Sequence, residues 1–569
     1  MIAAGQACSA PPRPVMAFQV GVTGHRALPG AGVPALQRQA ADLFRQVRDG
    51  VLRLHAADQA SATPLHQPAP PVLRCVCGLA AGADSILVAA ALAEGWSLVA
   101  VLPFAAEEFA QDFDAGPARD RFHALLGQAS TVCELDGDRR RGGEPYADIG
   151  VQVVEQSDLL LAVWDGLPPR GAGGTGDVVG RALECGVPVA VLPPGGTGPV
   201  EWRGAATPEA LLASALLPPA DPGGFPAAMY SDEPRAARWA SASVRWFEDA
   251  VLLGSGLSAR KTQAPPPTLP GSGVLASEAR LLPLFDPVDR LASRYAAWFR
   301  AAGLLRYGLV LPATLGAFVA SFGPAPLRPF GFALQFASLV AVIAFSARGG
   351  WMRPHDRFIA YRALAEYFRN ARLLLPLGAA VRPPGAAVHQ ARPADWTAWY
   401  GLRAVRVVGL LPGRLGAAAM ADAAGFVRAQ ASGQVAFLLG RAARYDAIAV
   451  RLRRIGIGLF SCGIGVAAIR TAAMLAGGAP TPQWFDEGAL ILPALAPVFL
   501  GLLGFGEYGR LATRYRAVAA ELRAQLAALD AAGPGRAGVL RVARRIADIM
   551  LAEGADWQLL IKARTISAL

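Results

Sequence analysis

Lysine is almost missing from this chain of 569 residues: it occurs only at Lys261 and Lys562, so the net charge of +11 is carried by arginine. Much of that arginine flanks apolar runs in the C-terminal half, which points to a membrane surface before nucleic acid. Zinc-finger spacing is missing, as is any helix pairing basic with aromatic residues for stacking on bases, and no nucleic-acid partner is expected. The six cysteines, Cys8, Cys75, Cys77, Cys133, Cys185 and Cys462, form no framework. Cys75-Val76-Cys77 lies in a predicted buried strand, so these read as structural thiols. The six histidines have no metal-ligand spacing. No metal, cofactor or catalytic residue is expected. Residues 1–16 lack a basic stretch followed by an apolar core, so the first domain is expected to stay in the reducing cytoplasm.

What the chain has in abundance is apolar surface. Hydrophobic residues make up 53 % and the mean hydropathy is +0.34, values that either membrane spans or an alanine-rich composition would produce. Its length implies more than one domain.

Residues 17–196 alternate short apolar strands with helices. Strands are predicted at Phe18–Val22, Val72–Cys77, Ser97–Leu102, Leu159–Trp164 and Val187–Leu192, with helices around Ala35–His55 and up to Glu94. Unbroken apolar strands separated by helices indicate an α/β domain with a parallel sheet covered on both faces. Residues 197–283 are rich in Pro and Gly, as at Pro265–Pro270, and read as a connector with one helix near Arg235–Val251.

From residue 284 the pattern is helical. Four charge-poor runs, 307–322, 330–347, 455–469 and 488–506, pair as two hairpins, one in a unit at 284–380 and one in a unit at 431–569, with 381–430 connecting them. Two runs fall short of the ~20 residues a span needs. Arginine sorting supports spans nonetheless. Arg300, Arg306, Arg348, Arg353 and Arg357 flank the first hairpin, and Arg451, Arg453, Arg454, Arg510, Arg514 and Arg516 the second. The tips carry only Arg328 and Arg470. Both hairpins therefore read as N-in and C-in, giving four spans in the inner (cytoplasmic) membrane with cytoplasmic termini. The hairpins resemble a repeat: Tyr361-Arg362-Ala363 corresponds to Tyr515-Arg516-Ala517, and Arg294-Tyr295 to Arg444-Tyr445. No charge lies inside the runs, which disfavours ion-coupled transport. Gly456, Gly458, Gly463 and Gly465 let helices pack closely, within a chain or between chains.

Three glycine-rich turns stand where predicted strands meet helices: Gly21-Val22-Thr23-Gly24-His25-Arg26, Gly78 to Gly82 followed by Asp84, and Gly173-Gly174-Thr175 beyond Trp164-Asp165. On one parallel sheet all three lie at the carboxyl edge, where such sheets bind ligands. Glycines admit a ligand close to the backbone, helix N–H groups hold phosphate, and Arg26 adds a cation. Glu107 and Glu108 are candidates for ribose hydroxyls or for an acid/base pair, or else are surface helix residues.

These turns, with Leu102-Pro103-Phe104, Asp112-Phe113 and the run Ser157–Gly166, resemble the SLOG superfamily, which unites the SMF and LOG proteins, over residues 17–196. The resemblance implies a Rossmann-like domain that binds a nucleotide-derived signal, NAD- or ADP-ribose-like, through Gly21, Thr23, Gly24, His25, Arg26, Gly78, Gly82, Asp84, Phe104, Glu107, Asp165, Gly173, Gly174 and Thr175. The C-terminal half, through its hairpins, exit motif, Glu553 and Trp557, resembles the two-span SLATT effector domains. That implies contact with membrane lipid, homo-oligomerisation and a role in antiviral defence. One departure stands out. LOG hydrolases carry a catalytic Glu shortly after their glycine motif; here Gly176, Asp177, Val178, Val179 and Gly180 follow instead. Asp177 reads as a charge favourable to a helix N-terminus, and the pocket reads as built to hold a ligand. A membrane-anchored hydrolase of the LOG type is the alternative.

Overall fold

The computed structural model describes residues 10–169, 171–205, 207–219, 238–253, 272–351, 354–380, 395–477, 483–533 and 535–567. Cys8, Arg353 and Pro265–Pro270 lie outside the described residues, as do the side chains of Arg348, Glu553 and Trp557.

The N-terminal half is the expected α/β domain with a mostly parallel sheet. Its strands are β1 (Ala17–Gly24), β2 (Val72–Cys77), β3 (Ser97–Leu102), β4 (Ala129–Glu134), β5 (Leu159–Val163), β6 (Val189–Leu192), β7 (Glu201–Arg203) and β8 (Gly413–Arg414). They lie in the order β7-β6-β5-β1-β2-β3-β4-β8. All neighbours pair in parallel except β6 and β7. Three strands exceed the sequence reading. β4, Ala-Ser-Thr-Val-Cys-Glu, lacks an apolar run, β7 has three residues, and β8 has two and comes from the second half of the chain.

Alternation within each strand feeds two cores. One face, with Phe18, Val20, Leu98 and Leu161, is covered by α1 (Val33–Gln59), α2 (Ala83–Ala93) and α7 (Pro208–Leu216), past the short α3 (Ala106–Phe109) and α4 (Pro117–Leu126). The other, with Val76, Val99, Leu160 and Val191, is covered by α5 (Glu144–Gln156) and α6 (Thr175–Glu184).

The remaining helices are α8 (Arg238–Val251), α9 (Ser272–Gly308), α10 (Val310–Phe322), α11 (Arg328–Trp351), α12 (Pro354–Leu374), α13 (Trp396–Val408), α14 (Ala417–Leu475), α15 (Gln483–Gly506), α16 (Tyr508–Ala531) and α17 (Arg536–Ser567). Next to the sheet, α9, α12, α13, α14, α16 and α17 share one core that includes Tyr361, Phe368, Trp399, Phe426, Leu522 and Ile546. Beyond it the apolar runs emerge. Among the described residues, four helical stretches are long and apolar enough to cross a membrane, within Gly273–Phe322, Ala325–Ala344, Ala417–Leu475 and Glu487–Ala531. Their apolar windows reach mean hydropathies of 1.5, 1.6, 1.6 and 2.1. Of the two shortest runs, 455–469 lies inside α14, which alone has 59 residues, and 307–322 continues from the end of α9 through Leu309 into α10.

The repeat has a structural counterpart. Tyr295 stacks on Tyr361 with ring centroids 5.7 Å apart, and Tyr445 meets Tyr515 at 5.9 Å. Each pair joins the helix entering a hairpin to the helix leaving it. The span glycines divide. A Cβ on Gly463 would stand 2.3 Å from Pro493, and one on Gly456 3.0 Å from Leu500, so both pack within the second hairpin. Gly458 and Gly465 face open space.

Candidate functional site

Strand order reverses at β1, which pairs with β2 on one side and β5 on the other. Loops leaving β1 and β5 must therefore diverge to opposite faces, and a crevice opens at their carboxyl ends. A cleft of about 480 Å³ lies there, within the range of small-molecule sites.

Ten of the fourteen expected residues line it: Thr23, Gly24, His25, Arg26, Gly78, Asp84, Asp165, Gly173, Gly174 and Thr175. The other four do not. A Cβ on Gly21 would stand 2.2 Å from Ser157 Oγ, so this glycine lets β1 pack under α5. Gly82, at φ +90°, sits where a Cβ would meet the Arg26 carbonyl at 2.2 Å, and holds two loops together. Phe104 is buried beneath the wall, edge-on to Tyr146. Glu107 is exposed on α3 and is not among the residues that line the cleft.

The two glycine turns that open helices serve different ends. The loop after β2 is satisfied internally. The N–H of Ala80 donates to Asp84 Oδ2 at 3.1 Å, and the N–H of Ala83 to the His25 carbonyl at 3.0 Å. The turn before α6 is open. Gly173 takes φ +76°, where a Cβ would collide with Ala147 N at 2.6 Å, so only glycine brings this turn against α5. The N–H of Gly173 donates to Asp177 Oδ2 at 2.9 Å, which fixes the turn and accounts for Asp177. Thr175 and Gly176, in the first turn of α6, have N–H groups that no carbonyl of the helix can reach, and both line the cleft.

The charged groups are arranged around this turn. His25 Nε2 lies 3.1 Å from Asp165 Oδ1 and 3.2 Å from the Asp165 N–H, and the ring tautomer decides which bond forms. The Leu167 N–H, and after it His25, hold the Asp165 carboxyl below the usual carboxylate range. Asp84 is buried and pushed up to about 7, because burial disfavours its charge more than its hydrogen bonds favour it. The Arg26 guanidinium lies 5.6 Å from the centre of the Tyr146 ring.

One wall could not be anticipated from motifs. Tyr146, Ile149, Gly150 and Val153 of α5 line the cleft, facing Trp164, Leu167, Pro168 and Pro169 after β5. Tyr146 is held by its hydroxyl, which donates to Asp112, while Arg139 bonds Asp112 at 2.6 Å. This explains the Asp112 motif as support for the wall. The available signal was the amphipathic pattern of 144–156 just before the apolar β5.

The strand that carries Trp164 and Asp165 is anchored at its other end to the helical half. Asp158, just before β5, accepts from Arg403 at 2.7 Å and from Arg406 at 3.2 Å, all three buried. Burial alone would raise the Asp158 carboxyl; the two guanidinium groups outweigh it and hold it low. Arg406 also donates to the carbonyls of Glu155 and Ser157, both at 2.8 Å.

Comparison with protein families, curated proteins and solved structures gives no match for this chain.

Proposed function

We propose that this chain is a multi-pass membrane effector that senses a nucleotide-derived signal in the cleft and responds through its apolar helices. The observation that carries the reading is a cleft with one open helix N-terminus and Arg26, on the same chain as four helices able to cross a membrane. A phosphate suits the N–H groups of Thr175 and Gly176. A planar base suits the apolar wall of α5 and Trp164. An NAD- or ADP-ribose-like ligand has both ends. The likeness to SLOG and SLATT domains adds antiviral defence as the setting, with the response a loss of membrane integrity by an oligomer. In this reading both termini and the region between the hairpins are cytoplasmic, which arginine sorting supports, and the spans lie in the inner membrane.

A second reading, a membrane-anchored nucleotide hydrolase, draws on His25, Asp165 and Asp84, which give the cleft groups able to move a proton.

The full chain in detergent should gain thermal stability with NAD or ADP-ribose, without turning either over. In vesicles the same ligand should trigger release of a trapped dye. Gly174→Glu should abolish binding yet leave the fold intact, since a carboxylate at a helix N-terminus is itself favourable by roughly 0.3–1 kcal/mol. Arg26→Ala should weaken binding less, by about tenfold, the value of one charged hydrogen bond. Unchanged binding by the Glu variant would remove the cleft as the site, and steady turnover would favour the hydrolase. Topology reporters at Leu327 and Pro480 should read outside, and one at Ala391 inside; the reverse pattern overturns the orientation.

A further inference from the structure

A second cavity, of about 500 Å³, lies at the opposite edge of the sheet. It opens between the amino ends of β2, β3 and β4 and the helices α9 and α13. Arg13, Arg74 and Arg280 line it, with Thr131 and an apolar side formed by Val99 and Leu284. None of the described residues lining it is acidic.

Arg74 and Arg280 have a structural task. Arg74 donates to the carbonyls of Arg406 at 2.7 Å and Val407 at 2.9 Å, and Arg280 to that of Val408 at 3.3 Å. These are last-turn carbonyls of α13, which no N–H of the helix can satisfy. Capping does not exhaust either group. A guanidinium carries five N–H donors, and Arg74 spends two of them here. A helix C-terminus supplies only about half a negative charge, against two full positive ones. Arg74 is pulled below the usual arginine value, by burial and then by the charge of Arg280. Gly409 follows at φ +64°, where a Cβ would stand 2.9 Å from Arg74 Nη1, so the backbone leaves the guanidinium room to lie across the helix end. Like charges held together in a lined cavity without a carboxylate make a site that an anion completes.

We infer that this cavity binds a small phosphorylated molecule, its phosphate on Arg74 and Arg280 and its apolar part against Val99 and Leu284. A lipid headgroup is excluded by distance: at about 1.5 Å per residue, Arg280 stands about 40 Å along α9 from the apolar run that begins at 307. The occupant touches the sheet through Arg74 and Thr131, and through Arg280 and Leu284 it touches the helix leading into the first hairpin. It therefore ties the sheet to the stalk and acts as a second effector, independent of the ligand in the cleft.

The test uses the full chain in detergent carrying Gly174→Glu, so that the cleft does not contribute, with inorganic pyrophosphate as probe and calorimetry as readout. Binding should persist in this protein. Arg280→Gln, at an exposed position, should weaken it about tenfold or more, the value of a charged hydrogen bond, and Arg280→Lys should restore most of it. No binding in the Gly174→Glu protein, the same affinity with Arg280→Gln, or sulfate binding as tightly as pyrophosphate would each overturn the assignment. Failure of the cleft reading shows separately, as nucleotide binding that survives Gly174→Glu.

Discussion

Residues Leu159–Val163 of β5 and 455–469 of α14 are both charge-free apolar runs. Every residue of the first is at most 1 % exposed. In the second, Ile457, Phe460, Ile464 and Ile469 are each more than half exposed. In the sheet, protein supplies the burial: α5 and α6 close one face, α1 and α2 the other. Around the apolar helices protein supplies little, since between 11 % and 17 % of each apolar window is buried within the chain. Apolar surface on this scale is not left to water, and these helices are long and apolar enough to fit a bilayer. The contrast teaches that hydropathy alone does not separate a core strand from a span. Length does, because five residues of strand cannot bridge a bilayer core and a helix of about twenty can.

Breaking the junction between the two regions should have the largest effect. Asp158→Asn leaves Arg403 and Arg406 buried without their counter-charge, which should cost about 3–5 kcal/mol. Thermal unfolding in detergent should show it as an early loss of the sheet domain, and an unchanged midpoint would mean that the halves are not coupled through this contact. The contrast itself is sharpened by paired truncations. Leu160→Ala, fully buried in the sheet, should destabilise by about 2–5 kcal/mol. Ile343→Ala, 69 % exposed on α11, should stay within about 0.5 kcal/mol, as for surface positions. Equal losses would indicate that the helices bury this face against protein.

A further effect is read through pH. Asp84 has its folded value raised to about 7, so the folded state holds a proton that the unfolded chain releases at ordinary aspartate values. Stability from this group is complete below about pH 4 and is lost as pH rises towards 7. Asp84→Asn should flatten that part of the stability profile and leave the protein more stable above pH 7. A slope that survives the substitution assigns it to another group. Within the site, Arg26 and the Cys77 thiol also act on Asp84. Above pH 7 its carboxylate should also oppose a phosphate in the cleft.

Local pattern determined much of this protein. Apolar runs bounded by glycine turns fixed five strands and, through their parallel arrangement, the edge where the cleft lies. Run length and arginine sorting marked the four apolar helices, and the Tyr-Arg-Ala echo marked a repeat whose tyrosines pair in space. Tertiary structure decided the rest, because the rest depends on residues far apart in the chain. Nothing local distinguishes the internally satisfied turn after β2 from the open turn before α6; the difference lies in which donors Asp84, His25 and Asp177 reach. Gly413–Arg414 becomes a strand only because β4 offers an edge, and Arg403 becomes buried only because Asp158, 245 residues away, meets it. Two residues carry no periodicity, and an arginine in a helix gives no sign of its partner. Those choices are made by packing, where a buried charge must find its counter-charge and a strand edge its hydrogen bonds.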